Sequence, residues 1–114
     1  MVLIIGGMAQ GKLDFARREL GVTSWSEGLL GDADCVHGLH RAICGAPDWQ
    51  ESLRRWCAAH PNGVLICDEV GCGVTPLDRE ERDWREQVGR TCCRLAAEAG
   101  AVYRVCCGLG VRIK

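Results

Sequence analysis

Short apolar runs alternate with amphipathic segments along the chain. Two runs have the continuous hydrophobicity of buried strands, Val2–Ile5 and Val64–Cys67, and Ala101–Cys107 is predicted as another strand. Three segments carry apolar residues at helical spacing: Lys12–Leu20, Asp48–His60 and Asp78–Ala99. Shorter patterns predict a strand at Ala33–Val36, a helical turn at Gly38–Cys44 and an edge strand at Val111–Ile113. Residues 22 to 33 are predicted to form a loop. Strands that alternate with helices predict an α/β fold with a mostly parallel sheet flanked by helices.

Local signals mark the ends of the longer helices. Asp48 with Glu51, and Asp78 with Glu81, have capping-box spacing, so each Asp is expected to bond an amide of the first turn. Gly100 is expected to cap the last helix. The apolar face of that helix is predicted to contain Trp84, Val88, Cys92, Leu95 and Ala99. The first helix is predicted to bury Leu13, Ala16 and Leu20.

The turn between the first strand and the first helix has the spacing of a phosphate-binding loop. Gly6 is followed after four residues by Gly11 and Lys12. Glycines allow backbone N–H groups to turn toward an anion, and the lysine reaches the terminal phosphates. Leu13 stands where a Ser or Thr hydroxyl would reach Mg²⁺, and a glycine-rich turn without a ligand is the alternative interpretation. The predicted nucleotide contacts are Gly6, Gly7, Met8, Ala9, Gln10, Gly11, Lys12 and Leu13.

A second acidic motif follows the strand at Val64–Cys67. Four apolar residues followed by Asp68 and Glu69 form the Walker B pattern of many P-loop ATPases. In that pattern Asp68 would hold Mg²⁺, and Glu69 would support the metal or act as a base. Because ligands bind beyond the carboxyl ends of parallel strands, both motifs are expected at one edge of the sheet. Alternatively, the two carboxylates simply leave the sheet into solvent or cap the next turn.

Composition limits the other classes of function. The 114 residues carry a net charge of −1, which gives no field to attract nucleic acid or an acidic membrane. The chain has room for a single domain, 1–114, and has no apolar stretch of membrane-spanning length. The apolar start lacks the features of a signal peptide, so a cytoplasmic location is expected.

The nine cysteines and two neighbouring histidines leave a metal or redox role open. The cysteines form no CxxC pair, and most lie in apolar runs, so buried free thiols are expected. His37 and His40 lie three residues apart, a spacing compatible with a metal pair, a catalytic histidine or simply hydrogen-bonded side chains. A thiol-rich metal or redox module is therefore one alternative function.

The C-terminal half resembles the bifunctional adenosylcobinamide kinase/adenosylcobinamide-phosphate guanylyltransferases of cobalamin biosynthesis. The positions that match the family pattern are Glu69-Val70-Gly71, Gly73-Val74, Pro76, Arg79, Arg82, Arg85, Gly89-Arg90, Leu95-Ala96 and Gly108 to Lys114, together with the N-terminal loop. The resemblance implies a RecA-like P-loop NTPase fold, a homotrimer, ATP or GTP with Mg²⁺, and adenosylcobinamide as the phosphoryl acceptor.

The chain also departs from the family pattern. It is shorter between the first helix and Ala33, where the family carries its guanylylated histidine, so the resemblance implies kinase rather than guanylyltransferase chemistry. Leu13 replaces a serine, Asp68 replaces an asparagine, and Cys92-Cys93 replaces an Asn-Gln pair. A catalytically silent nucleotide sensor or assembly partner of the cobamide pathway is the alternative to an active kinase.

Overall fold

The computed structural model describes residues 1–71 and 77–114. Its ten elements, in chain order, are β1 Val2–Gly6, α1 Lys12–Leu20, β2 Ser26–Glu27, β3 Cys35–His37, α2 Leu39–Ala42, α3 Trp49–Ala59, β4 Val64–Asp68, α4 Arg79–Glu98, β5 Ala101–Cys106 and β6 Leu109–Arg112. Gly73, Val74 and Pro76, three of the positions that match the family pattern, lie between β4 and α4 and outside the described residues. No described helix is long and apolar enough to span a membrane.

The strands form one six-stranded sheet in the order β2-β3-β4-β1-β5-β6. All neighbouring pairs are parallel except β5 with β6, which closes as an antiparallel hairpin. The predicted mostly parallel sheet flanked by helices is therefore confirmed. β1 lies between β4 and β5, so the loop that follows β1 emerges near the middle of the sheet.

The two faces of the sheet are covered unequally. On one, which we call the three-helix face, helices α2, α3 and α4 pack over the sheet and bury Leu65 and Trp56 among others. The opposite face is covered by α1, and we call it the α1 face; its buried helical residues are Phe15 and Ala16. Because β1 alternates between the faces, Leu3 joins the first cluster and Ile4 the second.

The main elements agree with the sequence prediction, but several details of the helices differ. Phe15 is the large buried residue of α1, whereas Leu13 and Leu20 are half-buried at the rim of the same cluster. In α4, Thr91 is buried although the apolar pattern did not mark it. Trp84 is half-buried and packs against the core, which agrees with its predicted place on the apolar stripe.

Two of the predicted caps are wrong and one is confirmed. The Asp78 side chain accepts a hydrogen bond from the Glu80 amide, as a helix N-cap should. Asp48 makes no side-chain cap, because its backbone (φ −102°, ψ 20°) lacks the extended conformation that aims a cap at the first turn. The last helix ends at Ala99 in an extended conformation, so Gly100 is not a left-handed cap.

The loop predicted over residues 22 to 33 contains a short strand. Ser26 and Glu27 form β2, which pairs with Val36 and His37 of β3. Two residues carry too little pattern to signal a strand, and tertiary pairing decides their conformation. At the other edge, the turn between β5 and β6 lies at Cys107 and Gly108, with φ of 53° and 76°.

Candidate nucleotide-binding site

The phosphate-loop motif and the acidic motif lie side by side in the sheet. Gly6, the last residue of β1, pairs in register with Asp68, the last residue of β4. The Glu69 amide donates a 2.9 Å hydrogen bond to the Gly6 carbonyl, which fixes the two chain exits against each other. Gly6 must be a glycine, because a Cβ there would lie 2.4 Å from the Val105 carbonyl oxygen. The predicted meeting of the two motifs is therefore observed.

The first turn of α1 presents backbone donors at the end of this loop. Gly11 adopts a left-handed conformation (φ 86°) at the N-cap, and no side chain caps the helix. The first amides of a helix have no intrahelical acceptors, and the helix dipole adds partial positive charge there. This helix start therefore has the polarity and donors that an anion requires.

Lys12 is the cation of the loop, and it is buried. Only 4% of the residue is exposed. Its Nζ lies 2.8 Å from Asp68 Oδ1 and donates a 2.6 Å hydrogen bond to the Gly7 carbonyl. A buried ammonium needs such partners, because removing a charge from water is costly unless it is paired. The lysine is thus held at the loop, in contact with the acidic motif.

His40 completes the contacts of Asp68. The Asp68 amide donates to His40 Nδ1 at 3.3 Å, and His40 Nε2 lies 3.5 Å from Asp68 Oδ2. Burial lowers the pKa of His40 below its ordinary value; the Asp68 carboxylate opposes this shift, and the Arg41 and Lys12 cations add to it. His40 is accordingly a hydrogen-bonded histidine, one of the interpretations the sequence left open.

A cavity of about 490 Å³ opens over these residues. Its volume is in the range of small-ligand sites. The wall residues are Met8, Ala9, Gln10, Gly11, Lys12, Leu13, Asp14, His37, Gly38, His40, Arg41 and Asp68. Leu13 therefore presents an apolar side chain where the common motif has a hydroxyl.

The phosphate loop is also tied to the β5–β6 hairpin. Gln10 accepts a 2.8 Å hydrogen bond from the Cys107 amide through its side-chain oxygen, and a 2.7 Å bond from the Gly108 amide through its carbonyl. Arg18 of α1 donates to the Gly108 carbonyl at 3.1 Å. We call these contacts the loop–hairpin clamp. These contacts join the phosphate loop to a turn that is distant from it in sequence.

Glu69 lies next to the site but is turned to another partner. Its two carboxylate oxygens accept hydrogen bonds of 2.9 and 3.2 Å from the Arg104 guanidinium on β5. Glu69 follows the last residue of β4, and these bonds direct its carboxylate toward β5, whereas the Asp68 carboxylate contacts Lys12. Among the predicted residues, the structure therefore brings Asp68 to Lys12 and places the Glu69 carboxylate on Arg104.

Sequence reasoning missed Arg41, which lines the cavity and is held by Glu27. Arg41 Nη2 donates to Glu27 Oε2 at 2.7 Å, and His37 Nδ1 lies 2.7 Å from the other oxygen. The sequence contained a signal for a role in the site, because His37 and Arg41 follow the carboxyl end of the strand predicted at Ala33–Val36. The order of the strands, which places β3 beside β4, was not available from the pattern alone.

The thiols are only partly buried, contrary to the expectation. Cys35 and Cys67 are buried, and burial raises the pKa of Cys35 to about 12. Four others are exposed, because they lie on the outer face of α4, in a turn, or at the open end of β5: Cys44, Cys93, Cys106 and Cys107. Within residues 1–71 and 77–114, no group of three or more His, Cys, Asp or Glu side chains is arranged to hold a metal.

These features define a P-loop NTPase fold with a phosphate loop, a buried lysine and an acidic residue at the carboxyl edge of a parallel sheet. The model of the family "Cobinamide kinase / cobinamide phosphate guanyltransferase" matches residues 21–113. The chain belongs to this family. The matched range begins after α1, so the phosphate loop is supported by geometry instead.

Two curated relatives carry the name Bifunctional adenosylcobalamin biosynthesis protein CobU. The protein from Salmonella typhimurium is 47% identical over 51 residues, and the one from Escherichia coli is 45% identical over 51 residues. Each alignment covers 45% of this chain and 28% of the relative. The chain therefore matches well under a third of the length of these proteins.

Proposed function

We propose that this chain binds ATP or GTP at the phosphate loop and transfers a phosphoryl group to the hydroxyl of adenosylcobinamide. The buried Lys12–Asp68 pair inside a cavity of about 490 Å³ carries the proposal. A lysine kept dry beside a carboxylate, at the start of an uncapped helix, is arranged for exchange with a phosphate. Membership of the kinase and guanyltransferase family supports the reaction class.

Lys12 would change partners when nucleotide binds. Its ammonium would turn from Asp68 toward the terminal phosphates, whose charge it would neutralise. The amides at the start of α1 would receive the remaining phosphate oxygens. Asp68 would then be released to serve a cation, so nucleotide and cation binding are expected to reinforce each other.

Two carboxylates, Asp14 and Asp68, lie on the cavity wall, and Asp68, which contacts Lys12, fits a Mg²⁺ ligand beside the phosphates. Asp68 supplies hard oxygen atoms on the cavity wall, whereas Leu13 supplies none. Mg²⁺ usually keeps several waters and is held by one or two carboxylates plus substrate phosphates, so Asp68 alone can suffice. Bound there, the ion would neutralise charge that develops on the phosphates.

We assign Glu69 a supporting role rather than that of a base. Both of its oxygens accept hydrogen bonds from Arg104, so the carboxylate is engaged by a cation of β5. These bonds, together with the hydrogen bond from the Glu69 amide to the Gly6 carbonyl, fix the backbone that follows Asp68. Guanylyl transfer is not part of the proposal.

Leu13 favours a second candidate, a nucleotide sensor that binds without turnover. An apolar side chain on the cavity wall removes one oxygen ligand of the cation. A coupled kinase assay with cobinamide separates the two candidates. The enzyme releases nucleoside diphosphate in proportion to acceptor, whereas the sensor binds nucleotide and releases none.

Calorimetric titration with ATP and GTP, with and without Mg²⁺, tests the binding proposal. Lys12→Ala should weaken nucleotide binding about 10- to 100-fold, the value of a hydrogen bond to a charged group. Lys114→Ala is the matched control, because Lys114 bonds the carbonyls of Ala96 and Ala97 and lies outside the cavity lining. Absence of binding at millimolar nucleotide, or equal affinities for Lys12→Ala and wild type, would overturn the proposal.

The family resemblance further leads us to propose a homotrimer. Three exposed apolar side chains, Leu109, Val111 and Ile113, lie on and just after the edge strand β6. A row of apolar residues on a sheet edge is typical of a surface that another chain covers. Light scattering at micromolar concentration should give three times the mass of the monomer, and a stable monomer would contradict the proposal.

A further inference from the structure

His40 grips Asp68 at two points. The ring accepts a hydrogen bond from the Asp68 amide at Nδ1 and faces the carboxylate oxygen Oδ2 with Nε2. Because Nδ1 is the acceptor, a neutral ring must carry its hydrogen on Nε2, the atom that lies 3.5 Å from the Asp68 carboxylate oxygen. The histidine side chain thus spans the main chain and the side chain of one residue.

The segment that carries His40 is itself firmly held. Leu39 and Ile43, on either side of it, are fully buried in the three-helix cluster. The indole Nε1 of Trp84, on α4, donates to the carbonyls of His40 and Ile43 at 3.0 and 3.2 Å. The backbone of His40 is therefore fixed by its buried neighbours Leu39 and Ile43 and by the hydrogen bond from Trp84 of α4.

We propose that His40 is a positioning residue that fixes the Asp68 carboxylate for the metal–nucleotide complex. The inference rests on the proposed nucleotide site. Asp68 Oδ1 contacts Lys12, and Oδ2 faces His40, so departure of Lys12 toward phosphate leaves His40 as the group that keeps the carboxylate oriented. Leu13 contributes no oxygen, and Asp68 is the cavity carboxylate that contacts Lys12, so its orientation affects how well a cation beside the phosphates is held.

The test compares nucleotide affinity with and without Mg²⁺ for wild type and His40 variants. His40→Ala should reduce the Mg²⁺-dependent gain in affinity about tenfold, as loss of a group that orients a metal ligand does, and leave metal-free affinity within about twofold. His40→Gln, whose amide can still donate to the carboxylate, should restore most of the gain. An unchanged gain in His40→Ala, or no recovery in His40→Gln, would overturn the proposal.

His60→Asn is the matched control for replacement of a histidine. His60 ends α3, with Nδ1 2.9 Å from the Trp56 carbonyl, and is not part of the cavity lining. It should change the unfolding midpoint without changing the Mg²⁺-dependent gain. A control that loses the gain equally would assign the effect to general loosening and overturn the specific role.

A nucleotide-free measurement separates this inference from the proposed function. Nitrogen-15 NMR of the histidine rings should show His40 as the tautomer with hydrogen on Nε2. The opposite tautomer would remove the amide bond and overturn the inference even if nucleotide binds. If wild type binds no nucleotide while the Nε2 tautomer is present, the proposed function fails and the grip on Asp68 stands.

Discussion

The two faces of the sheet are buried by different numbers of helices. The three-helix face is closed by side chains from α2, α3 and α4, which share the cover of Leu65 and its neighbours. The α1 face depends on one nine-residue helix, whose largest buried side chain is Phe15. The same helix begins at the phosphate loop. The proposed site is therefore coupled directly to the cover of the α1 face, whereas the three-helix face contacts it through His40 of α2.

Paired core truncations test this difference most strongly. Leu65→Ala and Phe15→Ala should each lower the free energy of unfolding by about 3 kcal/mol, as buried large-to-small changes do. Phe15→Ala should in addition weaken nucleotide binding, because it loosens the helix that presents Lys12. Urea denaturation and calorimetry of the folded variants give the two quantities. Equal affinities in both folded variants would break the comparison.

A smaller effect is expected from the contact of β6 with α1. A Cβ at Gly110 would lie 2.2 Å from the Phe15 ring, which has little freedom because it also packs on Tyr103. Gly110→Ala should therefore cost about 1–3 kcal/mol, the range for overpacking a core. Thermal unfolding would measure it, and a loss under 0.5 kcal/mol, a value about that of a neutral surface change, would show that the ring can move aside.

A substitution at Gly89 on α4 is expected to raise the free energy of unfolding rather than lower it. It is exposed, and a Cβ there would meet nothing within 4 Å. Gly89→Ala should raise the free energy of unfolding by about 0.8 kcal/mol through helix propensity. Denaturation at two protein concentrations checks the result. Destabilisation at the higher concentration alone would indicate that another copy of the chain packs closely against this glycine.

The weakest expected effect concerns acid pH at the cavity rim. Burial acts to raise the pKa of Glu27, but hydrogen bonds from His37, Arg41 and Trp25 outweigh it, and the pKa is lowered from 4.5. A carboxyl with a lowered folded-state pKa contributes stability above its unfolded pKa and loses it as pH falls through the folded value. Glu27→Gln should therefore reduce the loss of stability below about pH 4.5. Identical pH profiles for variant and wild type would contradict this.

The sequence was most informative where one pattern dominated. The strands β1 and β4 contain continuous apolar runs, β5 is apolar except for Arg104, and the helices α1 and α4 have clear periodicity, so these elements were predicted close to their observed bounds. Gly6, Gly11 and Lys12 were predicted together because their spacing is that of a phosphate-binding loop. Asp68 was placed with them by the rule for parallel sheets, and the register of β1 with β4 confirms that proximity.

Features that depend on tertiary position could not be predicted in this way. β2 is two residues long, and the grip of His40 on Asp68 requires knowing that β3 lies beside β4. Exposure of Cys106 and Cys107 follows from the hairpin at the sheet edge, although their sequence neighbours are apolar. Patterns report what a segment prefers, whereas these details follow from which segments meet.

The loop–hairpin clamp has a consequence for how the molecule is made. Gln10 and Cys107 are 97 positions apart, so their hydrogen bond closes nearly the whole chain. Contacts of such long sequence separation form late, after the entropy of loop closure has been offset by other structure. During synthesis the phosphate loop would therefore lack these contacts until the β5–β6 hairpin has left the ribosome.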